Sequence, residues 1–383
     1  MTRRVFAILV VLVATYVLVS WSALFGPLAR GGIVVLDVYS SALSGNNAAA
    51  LITPTPRIEE QRITLGGQES RVTWWIPGWG DRHPAMLVIN GASPLGNDDP
   101  ETRRISEALC RAGYLVMLPE FDFLKEARLE RSAPSRVDAA FAVMLARGDA
   151  DPDRAGGFGF SVGGGIMFAA AGVPGAALAK ARYLGALGAF FDLRTYLASV
   201  VTGTQVRQGR AEPWIPDPEA RSKLPIGAAQ AMADEGDRET LTAALRASGG
   251  FLASDPPFGL GAEGHAVWQM LAAPDYGTAL VRFDALPAAL RDTFATLSPV
   301  TRWSAVRAPV YWLHDEGDRF EPVSEAERTF VTAHAGTTEL HLTRLLSHAA
   351  ALGPDARQQG VDFWTRELGG LLRFAFDVLE RAG

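Results

Sequence analysis

The sequence predicts an α/β protein with a mostly parallel central sheet and helices on both faces. Three observations predict it. From residue 57 onward, short apolar runs alternate with helical patterns, and strands alternating with helices make βαβ units and a parallel sheet. The runs are apolar on consecutive residues, as strands buried on both faces are. Finally, Gly159-Phe160-Ser161-Val162-Gly163 joins one such run to a segment of small and apolar residues, a strand–turn–helix junction.

The elements follow in order. Arg57 to Thr64 and Gln68 to Ile76 alternate polar and apolar residues, as an edge hairpin does. Ala85 to Ile89, Tyr114 to Leu118, Arg154 to Gly159 and Ala181 to Leu187 read as parallel core strands. Helices are expected at about Asp99 to Ala112, Ser135 to Ala146 and Gly163 to Gly172. Val310 to His314 and Glu339 to Leu342 complete the sheet. A closing helix, about Asp355 to Leu379, carries Val361, Trp364, Leu368, Leu371 and Leu372 at helical spacing, a core-packing stripe.

Between Phe190 and Leu297 the texture changes. Helical patches at Asp192 to Val201, Ile226 to Asp234, Arg238 to Ala247 and Leu286 to Ala295 are separated by proline-rich breaks at Glu212 to Pro216 and Asp255 to Gly259. Trp214, Phe251, Phe258, Trp268 and Met270 either line an apolar pocket or hold this helical unit together.

The N-terminus carries a separate signal. Arg3 and Arg4 precede Val5 to Ala29, a stretch without a charged residue that Arg30 closes. A span needs about 20 apolar residues, so residues 1–30 read as a transmembrane anchor. The two arginines place the N-terminus in the cytoplasm and the bulk of the chain on the outer side. The alternative is a signal peptide cut near Ser20-Trp21-Ser22, giving a secreted protein. Residues 31–56 are a juxtamembrane segment, either a helical continuation or a stalk. The remaining divisions are a core from 57 to 189, a helical insert from 190 to 297 and the second part of the core from 298 to 383.

With 383 residues and 48% hydrophobic content the chain can bury a large core, and a net charge of −6 argues against a nucleic-acid partner. Cys110 is the only cysteine, so no intramolecular disulfide forms, and a buried small hydrophobe is its expected role. No zinc-ligand spacing is present, and no metal or cofactor is expected. The oligomeric state is not legible.

The chemistry starts at Ser161. A serine on a sharp strand-to-helix turn is thrust out of the sheet, and the helix beyond it offers free N–H groups where negative charge develops. Downstream, Ala308 to His314 reads as a buried strand ending in the acidic turn Asp315-Glu316-Gly317-Asp318. Glu339 to Leu342 runs into a loop carrying His348. The order is Ser, Asp, His, each just past the C-terminal end of a strand. Among the six histidines, His83 precedes a strand at the opposite edge and His265 lies in the insert. His314 abuts the acid loop, His334 falls in a helical pattern and His341 lies within a strand. Asp315 is the alternative acid. Glu120, after a core strand, is a surface charge or a pocket contact.

These places resemble the α/β-hydrolase superfamily over roughly residues 58 to 380. Gly159 to Gly163 resembles its nucleophile elbow. His314-Asp315-Glu316-Gly317-Asp318, with Glu321-Pro322-Val323 following, resembles its His-Gly-x-x-Asp and Val-Pro acid loop, Asp315 standing where that family prefers Gly. The third place is the His348 loop. Ala85 to Pro94 is similar to the family's strand ending in His-Gly-x, with Asn90 in place of the His. The resemblance implies the α/β-hydrolase fold and a lid in the insert. It also implies Ser161 as nucleophile, His348 as base, Asp318 as its orienting acid, and an oxyanion hole from the N–H groups of Val162 and Ala92.

Three functions are consistent with this. One is a membrane-tethered serine hydrolase cleaving a small or lipophilic carboxylic ester through an acyl-enzyme. The second is a peptidase or amidase of the same fold. The third is a non-catalytic anchored binding protein, because fold alone does not choose among chemistries.

Overall fold

The computed structural model describes residues 26–250, 252, 255–348, 350–354 and 356–381. Most of the expected anchor, residues 1–25, and the alternative cleavage site lie outside these. Among the described residues no helix is long and apolar enough to cross a membrane.

The described chain opens with helix α1, Gly26–Ser44. Of the two forms expected for the following segment, it is the helical one over most of its length. Val35, Leu36, Val38 and Tyr39 on one face are buried in the core. The helix ends at Gly45, whose left-handed φ of 73° lets its N–H reach the Ser41 carbonyl.

Strands β1 (Arg57–Leu65) and β2 (Gln68–Ile76) form the expected hairpin. Its two-residue turn is Gly66-Gly67, both at positive φ as such turns demand. Strands β3 (His83–Ile89), β4 (Leu115–Pro119), β5 (Ala150–Phe160), β6 (Leu184–Leu187), β9 (Val310–Asp315) and β10 (Thr338–Thr343) are mutually parallel. The eight strands lie in the order β1-β2-β4-β3-β5-β6-β9-β10, with β2 antiparallel to both neighbours. Two helices flank β4 in sequence, α2 (Pro100–Arg111) before it and α3 (Ala133–Leu145) after it. Helix α4 (Ser161–Ala171) follows β5 directly.

Both faces of the sheet are covered. Ala85, Leu87, Leu115 and Met117 face α3, α4 and the insert. Met86, Val88, Val116 and Leu118 face α1, α2 and the closing helix. The period-two alternation is therefore real, but both phases are apolar, which is why the sequence shows unbroken runs. Cys110 is buried in the second layer, where burial pushes its thiol up to about 12.

The insert holds more structure than its sequence pattern showed. Helix α5 (Leu193–Thr202) leads to a hairpin without a sequence counterpart, β7 (Thr204–Arg207) and β8 (Arg210–Pro213), which ends inside the expected break at Glu212 to Pro216. Helix α6 spans Pro218–Gln230, upstream of the Ile226 to Asp234 patch. Asp217 caps it through the Glu219 N–H at 2.9 Å, and it runs through Pro225, which reads as a breaker in sequence. Helices α7 (Glu235–Ala247), α8 (Ala262–Leu271), α9 (Tyr276–Asp284) and α10 (Ala288–Leu297) follow, of which α8 and α9 had no sequence counterpart. Helix α11 (Val323–Val331) follows the acid loop, so His334 lies beyond its end. The closing helix α12 spans Val361–Glu380, later than expected. Trp364, Leu368 and Leu371 are buried, but Val361 at its first turn is exposed.

Candidate active site

Ser161 stands at the junction of β5 and α4 with φ 50°, a left-handed conformation that a non-glycine residue holds only under constraint. The glycines around it are required by close approach. A Cβ on Gly159 would lie 2.4 Å from the Gly164 Cα, and one on Gly163 would lie 1.9 Å from the Asn90 carbonyl oxygen. Strand, helix and the loop after β3 meet only because these positions lack side chains.

Strand β9 delivers the acid. Asp318 accepts hydrogen bonds at Oδ1 from the N–H groups of Phe320 (2.7 Å) and Glu321 (3.1 Å). Its Oδ2 lies 2.8 Å from His348 Nδ1. His348, on the loop after β10, also has a left-handed φ of 51°. The Phe320 ring stacks on its imidazole at 4.6 Å. Gly188, at φ 57°, leaves room behind it, since a Cβ there would come within 2.9 Å of Nδ1.

Asp315, expected at a turn or in solvent, is buried. It accepts from the Gly317 N–H and, at 3.4 Å, from the His348 N–H, so it braces the loop. Burial pushes its carboxyl up to about 6. Of the other histidines, His314 is fully buried in β9 with Nε2 on the Glu321 carbonyl, and His334 packs on Trp303. Glu120 pairs with Arg71 and accepts the Asn97 N–H, bracing the loop beyond β3 without lining the cavity at Ser161.

A fourth side chain was missed. Ser161 Oγ donates to Glu321 Oε1 at 2.7 Å, and Glu321 Oε2 lies 3.2 Å from His348 Nδ1. Glu321 is 1% exposed. No hydrogen bond joins Ser161 to His348; the Ser161 hydroxyl is given to the Glu321 carboxylate instead. The sequence signal was an acidic residue immediately before Pro322, where the resembling loop carries an apolar one.

The charges are strongly coupled. Burial works to lower the His348 pKa, but the Asp318 and Glu321 carboxylates, with Asp315 behind, push it up to about 9. Burial works to raise Asp318, yet the charge and hydrogen bond of His348 hold it below the usual carboxylate range. Glu321 is raised, burial outweighing the attraction of His348. The donor atoms of Asp318, Glu321 and His348 lie within 4.8 Å of one another. Both carboxylates converge on a ring nitrogen that can carry a proton, and Glu321 also holds the serine hydroxyl, a proton-sharing cluster rather than an open coordination sphere.

The loop after β3 faces Ser161. A Cβ on Gly91 would lie 3.2 Å from the Ser161 Cβ. Asn90, in place of the usual His, donates to Asn97 Oδ1 at 3.4 Å, and Asn97 is fixed to Thr73 Oγ1 and the Leu118 carbonyl. Ser93 bonds Asp99, which caps α2. Val162, in the first turn of α4 where N–H groups have no intrahelical partner, and Ala92 both line the cavity above Ser161. That cavity holds about 230 Å³. Phe123, Leu124, Leu129, Phe160 and Tyr196 form its apolar wall, and α6 closes it with Leu224 and Lys223.

Of the insert residues singled out in sequence, the described ones do not line this cavity. Trp214 is buried beside it, with Nε1 donating to the Asp318 carbonyl at 2.7 Å. Trp268 and Met270 pack within the insert, and Phe258 is fully exposed. Phe251 lies outside the described residues.

With the sheet order, the reversed β2 and a left-handed serine between β5 and α4, the molecule has the α/β-hydrolase fold. Among solved structures it is similar to the acylaminoacyl peptidase of Pyrococcus horikoshii at 12% identity and a TM-score of 0.49, over 86% of this chain and 43% of that one. It is also similar to a 2,6-dihydroxy-pseudo-oxynicotine hydrolase (14%, 0.48, 92% of this chain and 82% of that one). A third is the dienelactone hydrolase of Anabaena variabilis (13%, 0.42, 85% and 98%). The chain spans less than half the length of the peptidase it matches. No protein-family model matches it, and no curated protein sequence does.

Proposed function

We propose that the chain is a serine hydrolase that cleaves carboxylic esters with a short apolar acyl group. The observation that carries this reading is that Ser161, on its left-handed turn, opens into the same cavity as His348, whose Nδ1 is held by Asp318 at 2.8 Å. A serine hydroxyl is a weak nucleophile until a base takes its proton. In this reading His348 Nε2 takes that proton as Oγ bonds the acyl carbon, then returns it to the leaving alcohol. Asp318 holds the ring and stabilises the imidazolium without being protonated itself. The carbonyl electron pair moves onto oxygen, which the Val162 and Ala92 N–H groups receive. Water then repeats the sequence on the acyl-enzyme and frees the acid.

The cavity favours a small substrate. Its 230 Å³ falls below the roughly 300 Å³ at which drug-sized pockets begin. The test is a panel of p-nitrophenyl esters of increasing chain length run beside peptide amides, with fluorophosphonate labelling of Ser161. Short-chain esters are the expected substrates, and Ser161→Ala should abolish labelling and lower turnover by at least ~10⁴. Turnover of amides alone would move the reading to a peptidase. Unchanged activity in Ser161→Ala would remove it. We place this activity on a membrane tether formed by residues 1–30, supported by the uncharged stretch from Val5 to Ala29 behind Arg3 and Arg4.

A further inference from the structure

One carboxylate in the cavity has no part in that mechanism. Glu321 follows Asp318 by three residues, and the turn that Asp318 caps through the Phe320 and Glu321 N–H groups aims its side chain inward. Oε1 accepts the Ser161 hydroxyl at 2.7 Å. Oε2 lies 3.2 Å from His348 Nδ1, yet the hydrogen bond of that nitrogen goes to Asp318, so Oε2 is buried without a hydrogen-bond partner among the described residues. A buried carboxylate left half-satisfied is costly, and the shortest contact of this one is with the Ser161 hydroxyl.

We propose that Glu321 is a positioning residue that holds the nucleophile at rest: its carboxylate takes the Ser161 hydroxyl and faces the His348 ring, keeping serine and base apart until the hydroxyl turns from Glu321 to the imidazole. This rests on the reading of Ser161 and His348 given above. In the resting enzyme the hydroxyl proton stays on Oγ. Handover to His348 changes only its acceptor, and proton transfer follows as Oγ attacks.

The same carboxylate sets when the handover succeeds. An imidazolium cannot accept the serine proton, and two carboxylates facing one ring favour the imidazolium. The groups facing the pair are Asp318 and Asp315 on the acid loop, His314 on β9, Tyr196 on α5 and Ser161 itself. Asp99, Glu101, Arg128, Glu219 and Lys223 line the outer cavity. Lys223 is tied to the Ala92 carbonyl and to Glu219, and Arg128 to Asp122, Glu126 and Glu130, so neither is free to neutralise Glu321. With His348 pushed up to about 9, the proposed base is protonated at neutral pH and becomes competent as pH rises through that value.

The test is the pH dependence of kcat/KM for a short-chain ester in the wild type and in Glu321→Gln, which keeps the shape and removes the charge. The acidic limb of the wild type is expected near 9. In Glu321→Gln it should fall by at least one pH unit, raising kcat/KM at pH 7 about tenfold per unit. A limb that does not move makes Glu321 merely structural and overturns the proposal. Loss of activity and of fluorophosphonate labelling in Glu321→Gln at every pH also overturns it, by making Glu321 the base. A second measurement needs no variant at Glu321. The imidazole ¹⁵N titration of His348 in the wild type, assigned by its disappearance in His348→Asn, should have its midpoint near 9, and a midpoint at 7 or below overturns the proposal. If instead the wild type neither hydrolyses the ester nor is labelled between pH 6 and 10, the serine-hydrolase reading fails, and the fall of the His348 midpoint from wild type to Glu321→Gln still decides the role of Glu321.

Discussion

Ser161 combines reactivity with backbone strain in one residue. Its φ of 50° is a conformation that costs an L-residue about 1–2 kcal/mol. The constraint comes from the contact between Gly163 and Asn90 and from α4 beginning at the serine itself. This separates two substitutions that remove the hydroxyl equally. Ser161→Gly relieves the left-handed turn, whereas Ser161→Ala keeps a Cβ in it. Both should be inactive, but Ser161→Gly should be more stable than Ser161→Ala by about 1 kcal/mol in chemical denaturation. Equal stability would mean that the elbow carries no strain. His348 has the same backbone sign, φ 51°, so the proposed nucleophile and the proposed base both sit on turns that the surrounding packing must hold.

At the scale of elements, what was legible follows from which interactions are local. The β3, β4, β5 and β9 runs stand out because strands covered on both faces are apolar at successive positions. Ser161 and Asp318 stand out because each follows such a run, and His348 because it follows the alternating strand β10. Glu321 was quoted only as part of a motif, because its role depends on a turn that brings residue i+3 beside residue i and on β5 arriving opposite. The insert helices α8 and α9 were missed because each is short and lies between proline-containing breaks. Helix α1 was half-read, its helical form being one of two expectations, while its packing on α2 and on α12, the latter more than 300 residues away, depends on distant chain. That packing divides the N-terminus at Gly26. Asp37 is buried near Arg111, and Tyr39 is buried in the same layer. Deleting residues 1–25 should release a folded, active enzyme from carbonate-washed membranes, while deleting through Ser44 should strip the second core layer and give insoluble protein. Membrane retention of the chain lacking residues 1–25 would remove the tether proposal.

The whole molecule makes its site where the insert meets the two catalytic loops. Several hydrogen bonds cross this boundary. Lys223 Nζ donates to the Ala92 carbonyl at 2.8 Å, and Trp214 Nε1 to the Asp318 carbonyl at 2.7 Å. The Asp217 N–H donates to the Arg319 carbonyl at 2.6 Å, and the Tyr196 hydroxyl to the Phe320 carbonyl at 2.9 Å. In the proposed mechanism the sheet supplies the reacting groups, and α6, which lines the cavity, sets substrate size. Leu224 is the apolar side chain of α6 that reaches this cavity from the core side, and it is buried. Replacing it by Trp places an indole in the acyl space without touching Ser161, Glu321, Asp318 or His348. A methylene in such a pocket is worth about 1–3 kcal/mol. Leu224→Trp should therefore lower kcat/KM for hexanoate and octanoate esters by tenfold or more while leaving acetate esters within about threefold of wild type. Equal loss on every chain length would mean that the acyl group lies elsewhere, and a gain on long chains would mean that α6 opens during turnover.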